Sequence, residues 1–281
     1  MTSDKKSHNS SQKEDSYDLP LEVDLGIDPA RSSEEVSNAL FRGDLVSIKL
    51  GTVYALICDA QNLECVEKAR IEKGRTHSQP FSVLMDFDYL LNPQKDSNWN
   101  QLSLEERKVR SLIDWDRTNP KFHEILLDPQ FLKETFGGRA FLRLPIKEET
   151  DVISDSFTDS LYHLQVFTFH GVPNAELVEE TARQTLLEAH PESLGLIMIT
   201  SFNKHNEDSI TDSKNAALLA KEMKIGLQVN HHSASDDGSY PIFQVNSAGV
   251  SVVRPTHDQR QAYVVEKLGE RGIKVDSTKL F

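Results

Sequence analysis

The stretch "EKGRTHSQPFSVLM", residues 72–85, sets two cations, Lys73 and Arg75, on either side of Gly74, just before an apolar run. Two cations held beside a glycine can grip a phosphate chain. Arginine offers a planar fork of donors and lysine a compact point charge. The same residues fit a second description. Residues 62–72 carry Leu63, Val66 and Ala69 at helical spacing, and Gly74 falls where a helix end favours a residue tolerant of positive φ. Cations at that end are favoured by the macrodipole and need no ligand.

Other groups that could do chemistry point elsewhere. His231 and His232 are adjacent, so on a strand they face opposite sides and do not converge on one metal. No Cys/His/carboxylate spacing of a metal centre accompanies them, and no metal site is expected. The chain has no GxxxxGK[ST], GxSxG or GxGxxG signature. His170-Gly171 reads as a turn. "DSITDS" (208–213) reads as a helix N-cap around Thr211 or Asp212, and "ERKVR" (106–110) as a solvated basic face.

The elements that must position the basic turn are legible as short apolar runs alternating with helical patterns. Residues 44–50, 80–85, 140–145, 164–169, 194–200, 242–245 and 250–255 predict strands. Residues 33–41, 62–72, 104–114, 128–136, 174–189, 213–222 and 258–270 predict helices, the one opened by Pro173 and Asn174 most clearly. Strands separated by helices predict an α/β sandwich around a sheet. Residues 94–127 are polar and partly helical and read as an excursion from that sheet, not a second domain. The expected organisation is a disordered, Ser-rich tail over 1–20 and one domain over 21–281.

Bulk properties narrow the function classes. A net charge of −13 argues against broad, non-specific binding to nucleic acid or anionic lipid, and leaves room for a small basic pocket. Cys58 and Cys65, seven apart, read as reduced thiols of a cytoplasmic protein. No segment reaches 18 apolar residues, so no membrane partner is expected.

The order of these features resembles the YrdC-like family of threonylcarbamoyl-AMP synthases. That family shows a strand ending in PTETVYGLG, a helix, KGRP, then PLIVHV. Here Thr52, Val53 and Tyr54 match TVY; Lys73, Gly74 and Arg75 match KGR; Pro80 matches the later proline. "MITSFNKHNEDS" (198–209) is similar to the family's APSANLSGxPS, with Ser201, Asn203 and Ser209 in register, and Arg254-Pro255 matches the arginine and proline of ILRPG. The resemblance spans roughly residues 33 to 275. It implies a twisted, mixed, open sheet flanked by helices with one large concave cavity. It implies ATP as substrate, with or without Mg. In the family, ATP, bicarbonate and L-threonine give threonylcarbamoyl-adenylate and pyrophosphate for the t6A modification of tRNA. Lys73, Arg75, Gln79, Ser201, Asn203, Ser209 and Arg254 would then serve the nucleotide, and Thr52 and Tyr54 the second substrate; no catalytic residue is assigned.

On the amino-acid side the sequence departs from the family. Leu50 stands for the first Thr of PTET, Leu84 for the His of PLIVHV and Phe141 for the Thr of PGPLT. Thr168 stands near the Arg of RxPxxP, Tyr240-Pro241 replaces the Ser-Thr of PSTVV, and His231-His232 replaces a glycine pair. Leucine can neither donate nor accept a side-chain hydrogen bond, so a buried zwitterion would lose partners there. Beside a structural domain whose pocket has decayed, two functions remain. One is a divergent threonylcarbamoyl-AMP synthase-like protein that binds ATP and forms a carbamoyl-adenylate. The other is a non-catalytic nucleotide- or double-stranded-RNA-binding relative.

Overall fold

The computed structural model describes residues 19–93, 97–148, 153–191, 193–204, 207–231, 238–256 and 258–276. Residues 1–18 of the expected tail, and His232, lie outside the described residues. The strands are β1 (Leu21–Asp24), β2 (Val46–Leu50), β3 (Val53–Asp59), β4 (Ser82–Leu84), β5 (Phe141–Pro145), β6 (His163–Phe167), β7 (Ile197–Ser201), β8 (Leu227–Asn230), β9 (Ile242–Asn246), β10 (Gly249–Arg254) and β11 (Val275–Asp276). The α-helices are α1 (Pro29–Phe41), α2 (Leu63–Glu72), α3 (Phe87–Leu91), α4 (Leu104–Arg110), α5 (His123–Leu126), α6 (Pro129–Phe136), α7 (Ala175–Ala189), α8 (Ser213–Glu222) and α9 (Gln259–Glu270).

All eleven strands belong to one sheet, in the order β1-β8-β2-β3-β7-β4-β6-β5-β9-β10-β11. It is mixed. β1 and β2 run parallel to β8, β4 to β6, β5 to β9 and β10 to β11. The pairs β2–β3, β3–β7, β4–β7, β5–β6 and β9–β10 are antiparallel. The β3 sequence VYALICD is buried at every position, the pattern of a central strand covered on both faces. Helix α1 packs against α7 and covers β1, β2, β3 and β8. Its N-cap Asp28 accepts from Arg31 N at 3.0 Å, and Pro29 occupies the first turn, where its missing N–H costs nothing.

Three differences from the sequence expectation have physical reasons. The expected strand over 44–50 is followed by a second, β3, for which no strand was expected, because Gly51, at φ +55°, turns the chain between Leu50 and Val53. The helix expected over 104–114 ends at Arg110. Beyond it Ile113 is fully buried and bridges Ile146, while Trp115 Nε1 donates to Ser111 Oγ at 2.7 Å and to Lys108 O. Helix α1 begins at Pro29, four residues before the expected 33–41 pattern, drawn back by its Asp28 cap.

Candidate functional site

The basic turn follows α2. Asn62 caps the helix start, its side chain accepting from Cys65 N at 3.0 Å; Lys73 ends it, and Gly74 has φ +63°. The chain then reverses through Thr76–Gln79 into β4. The turn is held from beneath by Arg70, whose guanidinium donates to the carbonyls of Thr76 at 2.9 Å and Gln79 at 3.3 Å.

Lys73 and Arg75 separate at this point. Lys73 is buried, and its ammonium donates to Ser201 O, to Asn203 O at 2.5 Å and to Asn203 Oδ1 at 3.2 Å. An ammonium has three donors. All three are engaged, so Lys73 clamps the end of β7 to the end of α2 and has no donor left for a ligand. Burial, and then the charge of Arg75, push its pKa down to about 7.

Arg75 instead lines a cavity on one face of the sheet, together with Ser201, Ser239 and Arg254. Its guanidinium donates to Thr200 Oγ1 at 3.2 Å and lies 5.0 Å from the Phe81 ring centroid. Arg254 reaches the same cavity from the end of β10. Two of its N–H groups donate to Tyr240 O, at 2.9 and 2.5 Å. Among the described residues neither arginine has a carboxylate partner within ion-pair distance. Desolvation of the guanidinium, then the charges of Arg75 and Arg260, push Arg254 down to about 10, although the residue as a whole is exposed. Arg75 is lowered by its own burial and by Arg70. This is a concentration of positive charge in a chain of net charge −13.

The cavity wall is apolar. Leu50, Val53 and Ala55 come from β2 and β3, Ile199 from β7, Phe167 from β6 and Ile242 from β9. Phe141, Phe167 and Tyr240 form the aromatic part of the wall, with centroids 4.7 Å apart for Phe141–Phe167 and 4.9 Å for Phe167–Tyr240. The Tyr240 hydroxyl donates to Leu50 O at 3.0 Å. A Cβ on Gly51 would stand 2.9 Å from that hydroxyl oxygen, so the Gly51 turn and the Tyr240 ring are fitted to each other. The enclosed volume is about 140 Å³.

The remaining sequence candidates take other places. Tyr54, between Val53 and Ala55 on β3, faces the opposite side of the sheet, and its hydroxyl is 2.5 Å from Asn230 Oδ1. Burial raises its pKa, with Glu22, Asp212 and Asp24 adding to the rise. Thr52 Oγ1 donates to Gly238 O at 2.7 Å. Ser209 Oγ is 2.9 Å from Ser239 Oγ, which lines the cavity. Asn203 Nδ2 donates to Glu207 O at 2.5 Å and braces its own loop. Gln79 precedes the lining residue Pro80, and its buried Oε1 accepts no bond among the described residues. Leu84 belongs to the core. Thr168 donates to Glu179 Oε2 at 3.1 Å, in a separate cleft lined also by Lys133 and Arg183.

His231 is buried at the end of β8. Asp212 caps α8, accepting from Asn215 N at 2.8 Å. Among the described residues no three His, Cys, Asp or Glu side chains form a metal-binding group. No helix among them is long and apolar enough to cross a membrane. Sequence reasoning missed Arg260, which pairs with Asp258 at 2.5 Å and lies 4.6 Å from the Tyr240 centroid; the closely spaced Asp and Arg at the start of α9 were its only signal.

Residues 38–107 match the model of the Sua5/YciO/YrdC family, described as telomere recombination. No curated protein matches the chain. Among solved structures, Sua5 of P. abyssi complexed with L-threonine aligns with TM-score 0.60 and 18% identity, over 92% of this chain and 63% of that one. A second P. abyssi Sua5 structure, of a doubly substituted variant, aligns with TM-score 0.58 and 19% identity, over 84% and 60%. E. coli YciO aligns with TM-score 0.56 and 11% identity, over 83% and 93%. The chain thus spans about three fifths of the length of the Sua5 structures it matches. The family match across the basic turn and the shared fold together support a YrdC-like family member.

Proposed function

We propose that this chain binds a nucleotide, ATP in the first instance, with the phosphate chain on Arg75 and Arg254 at the cavity. It would do so as a divergent relative of the threonylcarbamoyl-AMP synthases. One observation carries the reading: two guanidinium groups face one cavity without a carboxylate partner among the described residues. Burial lowers the pKa of both, and repulsion adds to it, from Arg70 on Arg75 and from Arg75 and Arg260 on Arg254; a bound polyanion would relieve that repulsion. Arginine forks suit phosphate oxygens, and the Ser201 and Ser239 hydroxyls stand at the same cavity to add neutral donors. A cavity of about 140 Å³ is smaller than the roughly 300–1,000 Å³ of a drug-sized pocket. The phosphates would therefore reach the arginines while the nucleoside lies outside the enclosed part. Mg, where it accompanies ATP, would sit on the phosphates.

Were the family's reaction to run here, Arg75 and Arg254 would hold the charge that develops as the carbamate oxygen attacks the α-phosphate and pyrophosphate leaves. The alternative is a non-catalytic nucleotide- or double-stranded-RNA-binding relative. It is favoured by the threonine side of the cavity, where Leu50 is apolar and the Tyr240 hydroxyl is already given to Leu50 O. A titration with ATP tests the shared part. Arg75→Ala should weaken binding by about 1.5–3 kcal/mol, the range for a charge-assisted hydrogen bond. Arg107→Ala, on α4, should change it far less; equal losses would refute a specific clamp. Pyrophosphate release with ATP, bicarbonate and L-threonine separates the two readings. Turnover of about 1 s⁻¹ or more, ordinary for an enzyme, would establish the synthase and show that L-threonine is accepted despite Leu50 and Tyr240.

A further inference from the structure

We propose that the enclosed part of the cavity takes a compact apolar carboxylic acid, its carboxylate on the two arginines and its hydrocarbon body against the wall. This rests on the reading above that Arg75 and Arg254 hold an anion, and the acid and a phosphate chain would compete for them. The donors are available. Arg254 gives two of its five N–H groups to Tyr240 O and Arg75 gives one to Thr200, so most of both forks stays open towards an anion. The rest of the cavity is specific in the opposite sense. Leu50, Val53, Phe141, Phe167, Ile199 and Ile242 offer no side-chain hydrogen bond. Away from the Ser201 hydroxyl, which is left for the anion, several of its polar side chains are turned on one another or on the backbone. Gln165 Nε2 donates to Ser82 Oγ at 2.6 Å, and the Tyr240 hydroxyl donates to Leu50 O. A ligand hydroxyl pressed on this wall would lose its water and find few partners, whereas methyl and methylene groups would gain by leaving water. The volume of about 140 Å³ admits a small molecule. One charged end and one dry end, in a space of that size, describe a short branched or aryl-substituted carboxylate.

The test is calorimetric titration of the full chain with four compounds in turn: 4-methylpentanoate, its neutral analogue 4-methylpentanamide, L-threonine and ATP. The acid is expected to bind saturably, at least tenfold tighter than the amide and at least tenfold tighter than L-threonine. Arg254→Gln should narrow the gap between acid and amide, Arg75 still facing the carboxylate; the comparison of the two in the unmutated chain decides the matter if that variant does not fold. An acid that binds no tighter than its amide, or no tighter than L-threonine, overturns the inference. ATP on the same sample tells the two failures apart. If ATP binds and the acid does not, the apolar-acid inference falls and the nucleotide reading stands. If neither binds, both fall.

Discussion

The three-way clamp of Lys73 gives a quantitative expectation. Lys73→Met keeps the length and apolar stem of the side chain and removes all three donors. Ser201 O and Asn203 O are fixed by the backbone at and just beyond the end of β7, on half-buried residues, whereas Asn203 Oδ1 can rotate away. A stranded acceptor shut off from water costs about 1–3 kcal/mol, so two cost about 2–6 kcal/mol at full burial and less where water reaches them. Relief from burying an ammonium beside Arg75 returns part of this. We expect a net loss of about 2–3 kcal/mol at pH 7, at the low end of that range. Equilibrium unfolding in urea, at unchanged m-value, measures it.

The same experiment has a pH arm. The folded-state pKa of Lys73 lies near 7, below its ordinary value of 10.5. Between those values the unfolded chain holds a proton that the folded chain releases, so stability rises with pH across that window. From pH 7, where the folded lysine is half deprotonated, to pH 9 the unmutated protein should therefore gain about 2 kcal/mol on Lys73→Met, each full pH unit with a one-proton difference being worth about 1.4 kcal/mol. A loss below about 0.5 kcal/mol at pH 7 would refute the clamp as a structural device. A gap that stays constant or narrows towards pH 9 would refute the burial argument for its lowered pKa.

Two further substitutions follow from single contacts. Tyr240→Phe removes the buried donor to Leu50 O and should cost about 1–2 kcal/mol in urea unfolding, with the aromatic packing kept. Glu179→Ala strips the carboxylate from buried Arg183 and the acceptor from Phe169 N, which it holds at 2.6 Å, and should cost about 3–5 kcal/mol, read as a lower thermal midpoint.

The strands at 44–50, 140–145 and 250–255 were legible because each is a short apolar run bounded by turn residues, and their counterparts β2, β5 and β10 lie within two residues of those bounds. β3 was hidden inside one longer apolar run, although Gly51-Thr52 between two apolar halves is itself a hairpin signal. β1 and β8 are four residues each and take their stability from pairing with each other across the chain, which leaves little local pattern. Within the site, Arg75 and Arg254 were expected only through the resemblance to the KGR and ILRPG motifs, and both line the cavity. The fate of Lys73 could not be read from sequence, since its partners are an amide and two main-chain carbonyls that no residue type announces. Arg260 was missed for a related reason: its pairing with Asp258 looks local, and only the fold sets it over the Tyr240 ring.

The strand order also sets a timetable for synthesis. β2 finds β3 within a few residues, but its other edge is closed only by β8, through Val46↔Leu227, and β1 has no neighbour until β8 exists. At about 5–20 residues per second, the roughly 180 residues between those partners take on the order of 10–40 s to emerge from a ribosome. For that interval the apolar strand Val46–Leu50 carries an open hydrogen-bonding edge, the kind of surface that recruits other chains. Such distant pairings are slow to form even in the finished polypeptide. A nascent chain that stalls before β8 should therefore be markedly more prone to associate with its neighbours than one released after it.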